Sequence, residues 1–118
     1  MSNENLKERT KRFAINVIKL VEKLPKNQVG NVLGRQLLRA GTSVGANYRA
    51  ACRARSRADF ISKMGIVEEE IDETLYWLEL LLEAKLVDLD QIKHLIKEAN
   101  EILSIVVTSI KTARRRTR

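Results

Sequence analysis

Four long stretches in which apolar residues recur every three to four positions constrain the fold of this chain more than any other feature. This spacing is that of one helix face, and no stretch alternates apolar and polar residues between hairpin turns as a strand would. Only a few residues separate consecutive stretches, which favours antiparallel neighbours. The sequence therefore predicts an all-α, antiparallel up-down-up-down four-helix bundle over residues 1–113, followed by a basic tail at 114–118. The helices are expected at about residues 4–24, 28–54, 57–85 and 89–113.

Residues that end or begin helices agree with these bounds. Pro25 ends the first helix, because the residue before a proline is driven out of helical backbone angles. Ser56 followed by Asp59, and Asp88 followed by Gln91, have the spacing of a capping box at a helix N-terminus. Each pair stands at the predicted start of a helix.

Length and composition exclude several classes of protein. The 118 residues amount to one domain. No run approaches the roughly 20 apolar residues of a membrane span, and the polar N-terminus does not have the pattern of a signal peptide. The single cysteine, Cys52, excludes an intramolecular disulfide and a multi-cysteine zinc site. We expect a cytoplasmic protein.

The net charge of +7 is unevenly distributed along the chain. Residues 1–57 carry +10, residues 58–110 carry −8, and residues 111–118 carry +5. Such grouping suits a polyanionic partner. A basic helix that faces an acidic helix of the same protein would produce the same pattern, and both interpretations stay open.

Four arginines of the second helix share one face about 80° wide at 100° per residue. That face lies opposite the predicted core, and further arginines extend it beyond the helix and into the C-terminal tail. Such a surface can bind phosphates through multidentate hydrogen bonds. Alternatively, the helix residues pair with acids of the third helix across a subunit boundary, and the tail serves only solubility. The candidate nucleic-acid-binding residues are Arg35, Arg39, Arg49, Arg53, Arg55, Arg57, Arg114, Arg115, Arg116 and Arg118.

Glycines of the second helix also share a side. Glycine costs a helix interior about 1 kcal/mol relative to alanine, and a stripe of small residues offsets that cost by letting another helix come close. Helix packing, within the chain or between subunits, is therefore expected for Gly30, Gly34, Gly41 and Gly45.

The third helix has a second apolar surface opposite its core stripe, formed by Tyr76, Trp77 and Leu80. An isolated bundle rarely exposes such residues together. We expect a homo-oligomer that covers this surface; the alternative is that the rim of the same bundle covers it.

No pattern of an enzyme or of a metal site is found. Di-metal bundles need Glu-x-x-His pairs, and the sequence has none. The only histidine, His94, is one turn from Asp90 and from Glu98, but it is about 200° from Ile92 and so points away from the core. Cys52 has no histidine partner, and no glycine-rich phosphate loop follows a strand. We expect no catalytic activity, no cofactor and no metal.

The segment "RAGTSVGANYRAACRARSRADFISKMGIVEEEIDETLYWLELL", residues 39–81, closely resembles a bacterial family of four-helix-bundle proteins. These proteins were first noted as reading frames in intervening sequences of 23S ribosomal RNA. The most specific parts are "TSVGANY", "SRADFISKMGI" and "ETLYWLELL", and the likeness extends over essentially the whole chain. The resemblance implies a ring-like homopentamer and a relationship to the basic accessory protein of diversity-generating retroelements, which works with a reverse transcriptase and nucleic acid.

The resemblance implies structural rather than catalytic roles for the positions that match the family. These positions are Arg39, Ser43, Asn47, Tyr48, Phe60, Tyr76 and Trp77. Relatives often have an acid near position 50 and at position 55, where this chain has Ala50 and Arg55. This departure slightly favours a polyanion as the partner.

Two functional hypotheses follow. The first is a non-enzymatic oligomer that binds RNA or DNA backbones through the arginine face without reading bases. The second is a protein-interaction scaffold or accessory subunit, whose basic face contacts an acidic partner or a neighbouring subunit.

Overall fold

The computed structural model describes the backbone of residues 3–116 and the side chains of residues 5–116. Four α-helices occupy nearly all of this range, and no strand is found within it. Each helix packs against its neighbours in the order α1–α2–α3–α4–α1, giving a bundle of 50 × 21 × 21 Å. The predicted four-helix bundle is confirmed. The helices are α1 (Asn3–Glu22), α2 (Gln28–Ala51), α3 (Arg57–Glu83) and α4 (Leu89–Arg115).

Three helices end earlier than the apolar pattern predicts: α1, α2 and α3 end at residues 22, 51 and 83, against predicted ends at 24, 54 and 85. The chain after α1 tightens, with Lys23 N–H bonded to Leu20 C=O at 3.0 Å, before Pro25. After α2, Ala54 N–H bonds Ala51 C=O at 3.0 Å in the same three-residue spacing. Such tighter turns satisfy the last carbonyls of a helix. In contrast, α4 continues to Arg115, two residues beyond its predicted end.

The polar residues at the helix starts make the bonds expected of N-caps. Ser56 accepts from Asp59 N–H at 3.0 Å. Asp88 accepts from Gln91 N–H at 3.0 Å, and the Gln91 side chain accepts from Asp88 N–H at 2.9 Å, which completes a capping box. These caps fix where α3 and α4 begin.

The turn after α3 contains the one non-glycine residue of the described chain with a positive φ. Lys85 has φ 63°, and Leu86 N–H bonds Leu81 C=O at 3.0 Å. With Lys85 N–H bonded to Leu82 C=O, this is a Schellman motif, in which glycine usually occupies the left-handed position.

The core contains apolar side chains from all four helices, among them Phe13, Leu37, Met64 and Ile102.

At the periphery, Arg9 of α1 binds two acids of α4. Its guanidinium contacts the carboxylate of Glu98 through Nε at 2.9 Å and a terminal nitrogen at 2.6 Å, and Glu101 at 2.8 Å. The hydrogen bond with Glu98 is the largest cause that raises the Arg9 pKa.

The glycines of α2 lie against α1 and the loop that joins the two helices. A β-carbon on Gly41 would lie 2.9 Å from both methyl carbons of Val17, and one on Gly45 would lie 3.3 Å from the Thr10 carbonyl oxygen. On Gly30 it would overlap the Pro25 carbonyl oxygen at 2.0 Å. The missing side chains let α1 and α2 approach closely, and this contact is within the chain.

Candidate nucleic-acid interface

Positive charge is concentrated at one end of the bundle. The antiparallel order brings together the start of α1, the end of α2, the start of α3 and the end of α4. Residues 5–12, 49–59 and 111–116 contain twelve Lys or Arg and two acids, a net charge of +10. At the opposite end, residues 19–31 and 79–94 contain five Lys and five acids, a net charge of zero. We call the first of these the basic end.

Few of these charges are neutralised locally. Asp59, one of the two acids, is bound by the Lys63 ammonium at 2.7 Å and accepts from Arg55 N–H at 3.1 Å. The hydrogen bond from Lys63 is the largest cause that lowers the Asp59 pKa, and the bond from Arg55 N–H lowers it further. Lys63 therefore offsets this carboxylate, so Asp59 forms no ion pair with an arginine of the basic end. Arg9, in contrast, is paired with Glu98 and Glu101 of α4.

A groove of about 420 Å³ separates α1 from α2 at the basic end. Lys7 and Lys11 line it from α1, and Arg49 and Arg53 line it from α2. These four side chains have no ion pair with any described residue. Glu8 is the only acid among the described residues that line the groove. We call this the α1–α2 groove, and its four cations lie on two sides of it.

Arg39 belongs to a different surface. It forms ion pairs with Glu70, at 3.4 Å, and with Glu73 of α3. Glu73 also accepts a hydrogen bond from Trp77 Nε1 at 3.0 Å. The bonds from Trp77 and Arg39 lower the Glu73 pKa, and the bond to Glu73 is the largest cause that raises the Arg39 pKa. The predicted arginine face is thus divided, and pairing with α3 occurs within one chain.

The other predicted arginines are distributed over the molecule. Arg35 is exposed near the middle of α2. Arg57 donates to the Arg116 carbonyl oxygen at 2.5 Å, joining the start of α3 to the end of α4. The predicted residues at the basic end are Arg49, Arg53, Arg55, Arg57, Arg114, Arg115 and Arg116. Arg118 lies outside the described residues.

The predicted apolar surface of α3 is only partly covered by the chain itself. The Tyr76 side chain is 55% exposed, while Trp77 and Leu80 are half-buried. The Tyr76 and Trp77 rings meet edge to face with centroids 5.1 Å apart. Val29 and Val32 of α2 are also exposed. An apolar surface therefore flanks the Arg39 ion pairs.

The cationic side chains of α1 are the functional candidates that the sequence analysis missed. Lys7 and Lys11 are one helical turn apart, so their shared side was readable from the sequence. That this side faces the end of α2 becomes evident only once the helices are packed. The same holds for Arg12, Lys19 and Lys23, which lie beside α4.

Two further observations bear on chemistry. Within residues 5–116, no three His, Cys, Asp or Glu side chains come together as a metal-binding group. Cys52 is half-buried and His94 is exposed. None of the four helices, over the part of the chain that is described, has the length and hydropathy required of a membrane span.

Residues 3–108 match the family of 23S rRNA-intervening sequence proteins. The chain belongs to this family. Its fold is similar to the crystal structure of a protein of unknown function from the S23 ribosomal protein family of Bacteroides thetaiotaomicron, with a TM-score of 0.87. The two chains are 38% identical, over 94% of this chain and 99% of the other. None of the curated proteins compared with this chain matches it.

Membership of the 23S rRNA-intervening sequence protein family agrees with the resemblance seen in residues 39–81. The matched region covers α1, α2 and α3 and most of α4, so the family describes the bundle and not a single segment of it. The similar crystal structure has no stated function. Function must therefore be argued from the surface of this chain.

Proposed function

We propose that this 23S rRNA-intervening sequence protein is a cytoplasmic, non-enzymatic oligomer that binds the phosphate backbone of RNA or DNA through its basic end. The observation that supports this most is the meeting of four helix termini with a net charge of +10 against zero at the opposite end. Such a charge distribution attracts a polyanion and orients it on the protein.

The α1–α2 groove supplies the central contacts of this proposal. Its four cations form no ion pair with any described residue, so phosphate binding would break no ion pair within residues 5–116. Arg55 and the arginines at residues 114–116 add contacts around it. Arg35 and Arg118 are peripheral in this proposal, and Arg39 stabilises the α2–α3 contact. Among the described residues, no aromatic ring lines the groove, which favours backbone contacts over base stacking.

Anisotropy titration of a fluorescent structured RNA at about 50 and 200 mM salt tests the proposal. We expect Arg49→Gln/Arg53→Gln to weaken binding and to lower the slope of log K against log salt by up to about 1.8, at 0.9 per phosphate contact. The control Lys26→Gln/Lys93→Gln removes two charges from the opposite end and should bind as the wild type does. No binding at low salt, or equal behaviour of the two variants, would contradict the proposal.

We further propose that the chain forms a homo-oligomer, a pentameric ring by its resemblance to the family, through the α3 surface around Tyr76. The support is the exposed aromatic ring next to half-buried Trp77 and Leu80. Solution mass measured by light scattering should fall when Tyr76→Lys is introduced. A monomeric wild type would refute this part.

The same mass measurement separates nucleic-acid binding from a scaffold role. If the basic end contacts an acidic neighbouring subunit or protein partner instead, Arg49→Gln/Arg53→Gln will change assembly and leave RNA affinity unaltered.

A further inference from the structure

A second groove, of about 710 Å³, runs between α1 and α4. These two helices pack least closely of the four adjacent pairs, which leaves the groove open. Its floor is apolar, formed by Phe13, Leu20 and Leu95, all nearly buried. Its walls are polar and charged. We call it the α1–α4 groove.

Arg9, which lies outside the lining of this groove, makes its charge more positive than that of the lining residues alone. Glu98 and Glu101 are the acids in the lining, and both are bound by Arg9. The cations of the walls have no ion pair with any described residue. These cations are Arg12 and Lys19 of α1, Lys23 just after the end of α1, and Lys97 of α4. Arg9 offsets one of the two carboxylate charges, so four wall cations face one remaining negative charge and the groove presents an excess of positive charge to any anion that enters it.

The spacing of the cations fits an extended anion. Arg12 and Lys19 lie about 10 Å apart on one side of α1, at 1.5 Å per residue. Lys23 follows just beyond the end of the helix, and Lys97 lines the groove from α4. A single phosphate would contact only part of this row. A nucleic-acid strand offers several phosphates to this row of cations. They are about 3.4 Å apart along the helix axis in a duplex and can be farther apart in an extended strand.

The width of the groove selects among nucleic acids. Packed helices have axes about 8–10 Å apart, and a nucleic-acid duplex is too wide to reach the floor of a groove between two such helices, whereas a single strand can follow it. The nearly buried Phe13 offers no ring face for stacking, so contacts are to the backbone. Lys11 lines the α1–α2 groove, and the adjacent Arg12 lines the α1–α4 groove. The α1–α4 groove therefore begins near the basic end and runs away from it along α1.

We propose that the α1–α4 groove binds the backbone of single-stranded nucleic acid, so that an unpaired segment is held along α1 beside a region bound at the basic end. This inference rests on the proposed function and names the class of nucleic acid. The groove makes single strands, and single-stranded segments of structured RNA, the preferred ligands.

The test uses a single-stranded oligonucleotide and a blunt duplex with the full chain. The variant Lys19→Gln/Lys97→Gln removes one cation from each wall, and both side chains are exposed, so folding is unaffected. We expect it to lower the salt slope for the single strand by about 1.4, at about 0.7 per contact, and to leave duplex binding unchanged. Arg49→Gln/Arg53→Gln should weaken the binding of both ligands, and Lys26→Gln/Lys93→Gln should leave the binding of both unchanged. Photo-crosslinks from the single strand should map to peptides within residues 12–23 and 91–101.

The outcomes separate the two proposals. If the wild type binds neither ligand at low salt, the proposed function fails. If the wild type binds, but Lys19→Gln/Lys97→Gln retains the wild-type affinity and slope for the single strand, only the α1–α4 groove is refuted. Equal weakening of both ligands by this variant would overturn its assignment to single strands.

Discussion

Replacing Gly41 by alanine tests whether α1 and α2 can pack this closely only because residue 41 has no side chain. The added β-carbon would lie 2.9 Å from two methyl carbons of Val17, closer than carbon atoms pack without a shift. Val17 is fully buried and β-branched, so it has little freedom to move. Overpacking of this kind costs about 1–3 kcal/mol, while alanine gains about 1 kcal/mol over glycine in helix propensity. The expected free energy of unfolding is lower than that of the wild type by about 0–2 kcal/mol.

Gly65 of α3 supplies the matched control. A β-carbon there meets no atom within 4 Å. Gly65→Ala should therefore change only the helix propensity of residue 65 and stabilise the protein by about 1 kcal/mol. Because propensity is common to both substitutions, the difference between them isolates packing and should be about 1–3 kcal/mol.

Urea denaturation followed by circular dichroism measures these values, at one fixed protein concentration because self-association changes apparent stability. A double-mutant cycle adds a second check. A Val17→Ala background removes the two contacts at 2.9 Å and leaves the one at 3.2 Å with the β-carbon of residue 17, so Gly41→Ala should be less destabilising there than in the wild-type background. The reasoning is refuted if Gly41→Ala and Gly65→Ala are equally stable in the wild-type background.

Three further predictions concern helix ends and the α2–α3 contact. Lys85→Gly should stabilise the protein by about 1 kcal/mol in urea denaturation, because it relieves the positive φ of 63°; a loss of stability would contradict this. Asp88→Ala removes the cap of α4 and should cost about 1 kcal/mol, whereas no change in the urea midpoint would exclude a role for the cap. The lowered pKa of Glu73 means that its ionised form stabilises the fold above the unfolded carboxyl pKa of about 4.3, and that this contribution is lost as pH falls through the lower folded pKa. Glu73→Gln should therefore show a smaller loss of stability between pH 7 and about 3, followed by Trp77 fluorescence; an unchanged pH dependence would argue against the bonds from Arg39 and Trp77.

Most of the fold was predictable because its determinants are local. Apolar spacing, Pro25 and the capping residues Ser56 and Asp88 act within a few positions of the chain. The helix ends were less predictable, because the chain leaves the helix in tighter turns while the apolar pattern continues. Ala54, for example, follows the pattern of α2 but lies beyond its end.

The candidate site was less predictable because it depends on which helices become neighbours. Arg39 and Arg49 lie on the same face of α2 by helical phase, yet one pairs with α3 and the other lines the groove beside α1. The phase of one helix gives a direction but not the helix that lies there. For the same reason Lys7 and Lys19 of α1, which flank grooves on opposite sides, drew no attention in the sequence.

The separation of charge along the bundle makes the protein a strong electric dipole as well as a cation. Screening at 0.1 M salt limits electrostatic attraction to about 10 Å, one fifth of the 50 Å length of the molecule. An approaching polyanion therefore senses the charge of the nearest end and not the net +7 of the whole chain. Encounter rates should follow substitutions at the basic end, even when compensating changes at the other end hold the isoelectric point constant.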